Sequence, residues 1–302
     1  MTKWSITTFG KLQIYCDGIP FGRRLSKNTK CLIGLLAVNY SRCLGREEIV
    51  EKLWSREYDV KCRRRLSTIL WRLARARQTD KSCPTTSLVH RIPNGSVCLA
   101  VDNNVTLDLS EFQTTFENIP VDSSKISDAQ AIRIERAIGL YTGELLEDFD
   151  ADWTFDVQLY AQQCYLEMLQ VLIDYFERRQ AHHKVCEYAE RFIRSDPFVE
   201  NVHITLVNAY LAKGQRNHAA TCARNWQLIA TQELGEPLSV ESSQLVRQLK
   251  PHASGDVQRI PRRRPALADK RRVDELQSTL DRLLSLCEIL MDELRQNNLP
   301  SR

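Results

Sequence analysis

The stretch that most restricts the fold is residues 61–77, KCRRRLSTILWRLARAR. Wound as an α-helix, at about 100° per residue, it brings Leu66, Ile69, Leu70 and Leu73 onto one stripe at i, i+3, i+4 and i+7. That stripe must be covered, so the helix needs a small core built around it. The opposite side carries Lys61, Arg64, Arg65, Thr68, Trp71, Arg72 and Arg75, with no acidic residue among them. A cationic back can be no more than a solvated face. Solvated helices ordinarily mix signs, however, and a single sign suits a surface that meets a polyanion.

Charge along the chain points the same way. The net +4 conceals 19 Lys+Arg against 7 Asp+Glu over residues 1–101, then 13 against 23 over 102–250, and 10 against 8 over 251–302. A basic front followed by an acidic section is the electrostatic footprint of a nucleic-acid reader joined to a domain with another task. No apolar run approaches the ~18–20 residues of a membrane span, and the opening MTKWSITTFGKLQIYC lacks a signal peptide's apolar centre. A cytoplasmic location without membrane contact is therefore expected. The ten cysteines are scattered and include no C-x-x-C pair, which argues against a zinc module or a disulfide framework and predicts small buried apolar side chains.

Read in order, residues 3–24 alternate as short strands, Trp4 to Phe9 and then Leu12, Ile14 and Cys16, with Asp17-Gly18 as a hairpin turn. Thr29 can cap a helix through Cys31–Val38, and Gly45 opens a second, Arg46 to Trp54, that buries Ile49, Leu53 and Trp54. The basic stretch is the third helix. Leu88-Val89-His90-Arg91 and Val97-Cys98-Leu99-Ala100 flank Pro93-Asn94-Gly95, a second hairpin.

Small sheet, three helices and terminal hairpin resemble the winged helix-turn-helix of OmpR-type readers. Leu44-Gly45-Arg46-Glu47-Glu48-Ile49 with Leu53-Trp54 looks like that family's turn and second helix, and Leu66-x-x-Ile69-Leu70-x-x-Leu73-Ala74-Arg75 like its recognition helix. Where the family's wing commonly ends Gly-Tyr-x-Leu, this chain has Gly95, Ser96 and Val97, with Leu99 beyond. The resemblance implies that the hairpin is a wing beside the recognition helix, and that the Ser55–Val60 connection matches a loop that can touch RNA polymerase.

Further on, Asp108 or Ser110 can cap a short helix from Leu107, and Ser127 or Asp128 a longer one containing Ile132, Ile134, Ile138, Leu140 and Tyr141. The run Tyr141-Thr142-Gly143-Glu144-Leu145-Leu146-Glu147-Asp148-Phe149-Asp150-Ala151-Asp152-Trp153 closely resembles a signature of the bacterial transcriptional activator domain, which follows an OmpR-like reader in SARP-type regulators. Residues 153–234 then repeat at an offset of 34: Leu172, Phe176, Val185 and Ala189 correspond to Leu206, Tyr210, Ala219 and Ala223. That is the period of tetratricopeptide helix pairs.

Residues 251–272, with three prolines and seven Lys/Arg, read as a basic linker, either a solvated tether or a nucleic-acid tail. Over residues 273–297 an amphipathic helix sets Leu276, Leu280, Leu283, Leu290 and Leu294 at heptad a and d spacing, which suits self-association as a short coiled coil or packing back on the helical domain.

Chemistry is harder to find. No Gly-rich phosphate loop is present, Asp148, Asp150 and Asp152 begin like a calcium loop but Trp153 stands at its glycine, and no Ser or Cys has a local nucleophile signature. His182 and His183 are expected in one inter-helix turn and His218 in the next. The expected protein is mainly α with a small β component: a winged helix-turn-helix domain (1–101), a tetratricopeptide-like helical domain (102–250), the linker and a C-terminal helix. It is expected to be a regulator without cofactor, metal or enzymatic activity that binds double-stranded DNA, forms a homo-oligomer and touches RNA polymerase. Lys61, Arg64, Arg65, Thr68, Trp71, Arg72 and Arg75 would meet DNA from the third helix, and Arg91 and Asn94 from the hairpin. The alternative is a helical adaptor whose basic front grips RNA or an acidic protein.

Overall fold

A computed structural model describes residues 3–21, 25–54, 60–79, 88–93, 95–100, 105–120, 122, 125–235 and 237–249. These residues all fall in one compact unit, Met1–Lys250. The linker, the 273–297 helix with its five leucines, the 55–59 connection and Asn94 lie outside the described residues.

The chain opens on an antiparallel pair, β1 (Trp4–Thr7) and β2 (Gln13–Cys16), with Trp4 opposite Cys16 and Ile6 opposite Ile14. Trp4, Ile6, Ile14 and Cys16 are buried, as period-two alternation requires of a sheet covered on one face. Asp17 and Gly18 both take positive φ, 48° and 79°, the twist that matches a two-residue hairpin, and lead into β3 (Ile19–Pro20). The fourth strand of this sheet is β6 (Val105–Leu107). It pairs in parallel with β1, so the sheet order is β3-β2-β1-β6.

Between β3 and β6 lie three helices and a hairpin. Helix α1 (Lys27–Val38) is capped by Ser26, whose side chain accepts from the Thr29 amide; Thr29 itself is buried inside the first turn and is not the cap. Leu32, Ile33, Leu35, Leu36 and Ala37 are all buried, so α1 is enclosed on most sides. Helix α2 (Arg46–Leu53) follows Gly45 and buries Ile49 and Val50, with Leu53 and Trp54 only partly covered. Helix α3 (Val60–Thr79) covers the predicted basic stretch, and β4 (Val89–Arg91) and β5 (Val97–Leu99) form the second hairpin.

After β6 the chain is helical. Helix α4 (Asp108–Glu117) has Asp108 in its first turn, and neither Asp108 nor Ser110 caps it. Helix α5 (Asp128–Leu140) starts in a capping box, Ser127 and Gln130 each bonding the other's backbone amide. Its core face is Ala131, Ile134, Ala137 and Ile138; Ile132 points to solvent. Helices α6 (Asp152–Arg178), α7 (His182–Ser195), α8 (Glu200–Ala212) and α9 (Arg216–Leu228) then pack each on the next. Of the residues 34 apart, Leu172 and Phe176 lie on α6 and Leu206 and Tyr210 on α8, while Val185 and Ala189 lie on α7 and Ala219 and Ala223 on α9. All are buried except Phe176, which is half-buried. His182 and His183 open α7, and His218 lies within α9 stacked on Tyr210. A single π turn, Ile229–Glu233, extends α9, and α10 (Val240–Gln248) packs against it. No described helix is long and apolar enough to cross a membrane.

The front and the helical part are bonded together through the segment 141–149. Amide and carbonyl groups pair Gly10 with Glu144, Thr8 with Leu146 and Gly10 with Glu147, at 2.8–3.0 Å. The Thr142 hydroxyl donates to the Phe9 carbonyl, and Asp148 accepts from the Leu12 amide. Asp148 thus serves docking, and no group of three metal-ligating side chains occurs among the described residues. Phe9 packs on Phe112 and Tyr141, and Tyr141 stacks on Tyr165 of α6 at 4.2 Å.

Candidate nucleic-acid interface

Helix α3 divides along the line its sequence set. Cys62, Leu66, Ile69 and Leu70 are buried and Leu73 is half-buried, while Lys61, Arg64, Arg65, Thr68, Trp71 and Arg72 are exposed. Arg64, Thr68 and Arg72 stand at i, i+4 and i+8, one row down the exposed side. The Thr68 hydroxyl donates to the Arg64 carbonyl, which leaves its oxygen lone pairs outward. Trp71 keeps 53% of its surface. Arg75 belongs to the helix, but its side chain lies outside the described residues.

Polar contacts with α2 fix how α3 is held, and periodicity within one helix gave no sign of them. The Arg63 guanidinium reaches Glu47 at 2.9 Å, and Arg46 donates to Ser67 at 2.6 Å. Glu48 takes Arg42 from the preceding loop at 2.6 Å. Both acidic residues in the first turn of α2, favourably placed against the helix dipole, are thus paired with arginines. Ile49 and Val50 of α2 and Leu66 of α3 share the core beneath these bonds. Arg63 is therefore engaged within the fold.

The hairpin is anchored by the loop before α2. Leu44 and Val97 exchange both backbone hydrogen bonds at 2.8 Å, so the loop forms a third short partner on the outer edge of β5. At the tip Gly95 has φ 89° and its carbonyl-side neighbour Ser96 bonds Ile92 at 2.9 Å. Arg91, on β4, is exposed, as is His90.

The cysteines depart from expectation. Cys16, Cys62, Cys164 and Cys186 are buried, but Cys31, Cys98 and Cys222 are only half-buried and Cys43 is exposed. Burial pushes the thiols of Cys31, Cys164, Cys186 and Cys222 up.

Residues 107–250 match the family model of the bacterial transcriptional activator domain. The fold is similar to that of Mycobacterium tuberculosis EmbR, solved in complex with a low affinity phosphopeptide; the TM-score is 0.63 and the identity 16%, over 94% of this chain and 71% of that one. No curated protein matches the sequence significantly.

Proposed function

We propose that the protein is a sequence-specific DNA-binding transcriptional regulator of the SARP type, an activator, built from an OmpR-like winged helix-turn-helix and a tetratricopeptide-like activator domain. Helix α3 enters the major groove. Arg64, Arg65, Thr68 and Arg72 face base edges, Lys61 and Arg75 the phosphates, and Arg91 and Asn94 the backbone or minor groove from the wing. The observation that carries this reading is the exposed row Arg64, Thr68, Arg72 on a helix whose other face is buried. Arginine suits the task because its planar fork can donate to guanine O6 and N7 together, worth roughly 1–3 kcal/mol of discrimination per contact. The domain match over 107–250 supports the regulatory half of the reading.

The helical domain supplies contacts to partners, RNA polymerase among them, and the heptad leucines Leu276, Leu280, Leu283, Leu290 and Leu294 supply self-association. Truncation after residue 272 then weakens oligomerisation, with fewer subunits per particle by light scattering; an unchanged number of subunits removes that role.

The test of DNA reading is selection of bound duplexes from a random pool, then a shift assay with Arg64→Ala/Arg65→Ala. The wild type should enrich one operator, and the variant should lose about tenfold or more in affinity with a shallower salt slope, by roughly 0.9 per phosphate contact removed. Enrichment of no sequence, with affinity and slope unchanged in the variant, would leave the adaptor for RNA or an acidic protein as the better account.

A further inference from the structure

The geometry points to a second site at the foot of the hairpin: we propose that Cys43 and Cys98 are a reversible dithiol–disulfide pair, whose oxidation closes the DNA-reading unit into a covalent loop. Three observations carry this. Leu44 and Val97 exchange both backbone hydrogen bonds, which makes them a hydrogen-bonded antiparallel bridge. One residue beyond that bridge on each side, Cys43 and Cys98 come opposite each other, and at such a non-hydrogen-bonded position of antiparallel backbone Cα atoms are typically about 4.5 Å apart with side chains on one face. That separation falls within the roughly 4.4–6.8 Å a disulfide spans. Second, the Cys43 side chain sits beside the Cys98 thiol, and the Cys98 sulfur is 3.9 Å from the His90 carbonyl oxygen across the hairpin. Third, Cys43 is exposed and Cys98 half-buried, so an oxidant reaches one thiol while the other waits behind it.

The chemistry balances with a peroxide as oxidant. The Cys43 thiolate attacks one peroxide oxygen, the O–O bond breaks, and water leaves after protonation, giving a sulfenic acid at Cys43. The Cys98 sulfur then attacks that sulfur; the S–O bond breaks, the hydroxide takes the Cys98 proton and departs as a second water. Two thiols have lost two electrons and the peroxide has gained them. A dithiol reductant returns both groups. Burial and the neighbouring Cys43 push the Cys98 thiol up to about 11. Cys98 is therefore a poor leaving group, and the bond, once made, is released slowly.

Residues 43 to 98 contain α2, α3 and the hairpin. A bridge across that span removes unfolded-state freedom from the whole reading unit, and it holds the hairpin against the loop that leads into α2. With fewer arrangements to give up on binding, the oxidised form should hold its operator more tightly. This last step rests on the DNA-binding reading proposed above.

The full chain, first reduced, is treated with dilute hydrogen peroxide, quenched by acid alkylation and mapped without reduction. The expected result is a linked peptide joining Cys43 to Cys98, a melting temperature raised by several degrees, and operator affinity raised about threefold or more. All three effects should disappear in Cys43→Ser, and dithiothreitol should reverse them in the wild type. In Cys98→Ser, Cys43 should be trapped by dimedone as the sulfenic acid. Bridges that join Cys43 to any other cysteine, or over-oxidised Cys43 with Cys98 still a free thiol, overturn the pair. If the bridge forms and affinity stays the same in a protein that Arg64→Ala/Arg65→Ala disables, the regulatory step fails while DNA reading stands. If neither oxidation nor the double variant alters affinity, the DNA reading has failed and the mapped bridge is judged alone.

Discussion

Asp108 and Thr8, 100 residues apart, are bonded twice: the Thr8 amide donates to Asp108 Oδ2 and its hydroxyl to Oδ1, each at 2.7 Å. The Phe9 amide adds a third bond at 3.1 Å, and Leu109 bonds the same carboxylate from the helix itself. One acidic side chain at the start of α4 thereby satisfies the backbone where β1 ends. The parallel pairing of β1 with β6, Ile6 opposite Leu107, lies immediately before it. The front of the chain and the helical section are tied at this point.

Removing that carboxylate strands three amides and a fully buried hydroxyl. Asp108→Ala should therefore cost roughly 2–4 kcal/mol, measured by chemical denaturation of the full chain. Asp108→Asn keeps a carbonyl acceptor and should cost clearly less. Burial pushes the Asp108 carboxyl up, and its bonds from Thr8, Phe9 and Leu109 only partly oppose this. The sign follows: a raised folded pKa means the folded state holds the proton longer, so this contribution is full below the unfolded value near ~3.9. It is lost as pH rises through the folded value. The stability of wild type relative to Asp108→Asn should accordingly fall from acid pH through the carboxylate range and then level off. A difference that is flat or rising with pH refutes the assignment.

That tie was not legible in the sequence, and the reason is physical. Periodicity reports which face of an element is buried, and it located Leu66, Ile69 and Leu70 correctly because they bury within their own helix's neighbourhood. Val105–Leu107 is three residues long, too short for a period-two signal, and its partner strand begins at Trp4. Glu47 and Arg63 meet across two helices, so neither helix's pattern predicts the pair. Ile132 shows what an apolar residue's presence in a helix leaves open: Ala131 and Ala137 line the close packing, and Ile132 is 57% exposed. Capping erred by a turn where Ser26 and Thr29 both had suitable hydroxyls. The Tyr-Thr-Gly run was recognisable as words, whereas its bonds to Thr8, Phe9 and Gly10 required the fold.

Gly143 lies against the backbone of Gly10, where a Cβ would come within 3.2 Å of the Gly10 Cα and 3.3 Å of Glu147 Oε2. Backbone cannot swing aside as a side-chain tip can. Gly143→Ala should thus cost roughly 1–3 kcal/mol by forcing the 141–149 segment off the Thr8–Gly10 loop. Proteolysis gives a second readout, since the loosened segment should be cut sooner than in the wild type. A stability within ~0.5 kcal/mol of wild type, the usual range for a harmless surface change, would show that the approach has slack.

Glu135 on α5 accepts from Lys184 at 3.1 Å and from the Tyr188 hydroxyl, both on α7. Burial raises the Tyr188 phenol, and with the bond to Glu135 it reaches about 12. Burial alone would lower Lys184, but its bonds to Glu135 and Tyr188 reverse the direction and raise it. Glu135→Ala leaves Tyr188, itself buried, without that acceptor. The expected loss is roughly 1–2 kcal/mol of unfolding free energy at neutral pH. Because the Lys184–Glu135 pair is about one-third exposed, most of that loss should persist at high salt, carried by the phenol bond and not by the ion pair. A loss that vanishes in 1 M salt would assign the effect to the ion pair instead.

Neighbouring arginines on α3 should differ in what they do. Arg63 holds Glu47 through two of its nitrogens, Nε at 3.1 Å and Nη2 at 2.9 Å, whereas Arg64 stands in the exposed row with Thr68 and Arg72. A guanidinium already matched to a carboxylate brings little net positive charge to a phosphate or a guanine, and turning it outward would break the brace between α2 and α3. Arg64→Ala is therefore expected to reduce operator affinity about fivefold to a hundredfold, and Arg63→Ala no more than about threefold, since an exposed ion pair is worth roughly 0–1 kcal/mol. Salt dependence separates the roles further: Arg64→Ala should change the slope if it also meets a phosphate, and Arg63→Ala should leave it as it is. Glu47→Ala supplies the control. Removing the Glu47 carboxylate takes one negative charge from beside the reading face, so non-specific binding should strengthen while operator preference narrows. Equal losses for Arg63→Ala and Arg64→Ala in a titration at fixed salt would mean that the Glu47 pair opens on DNA and that both arginines read it.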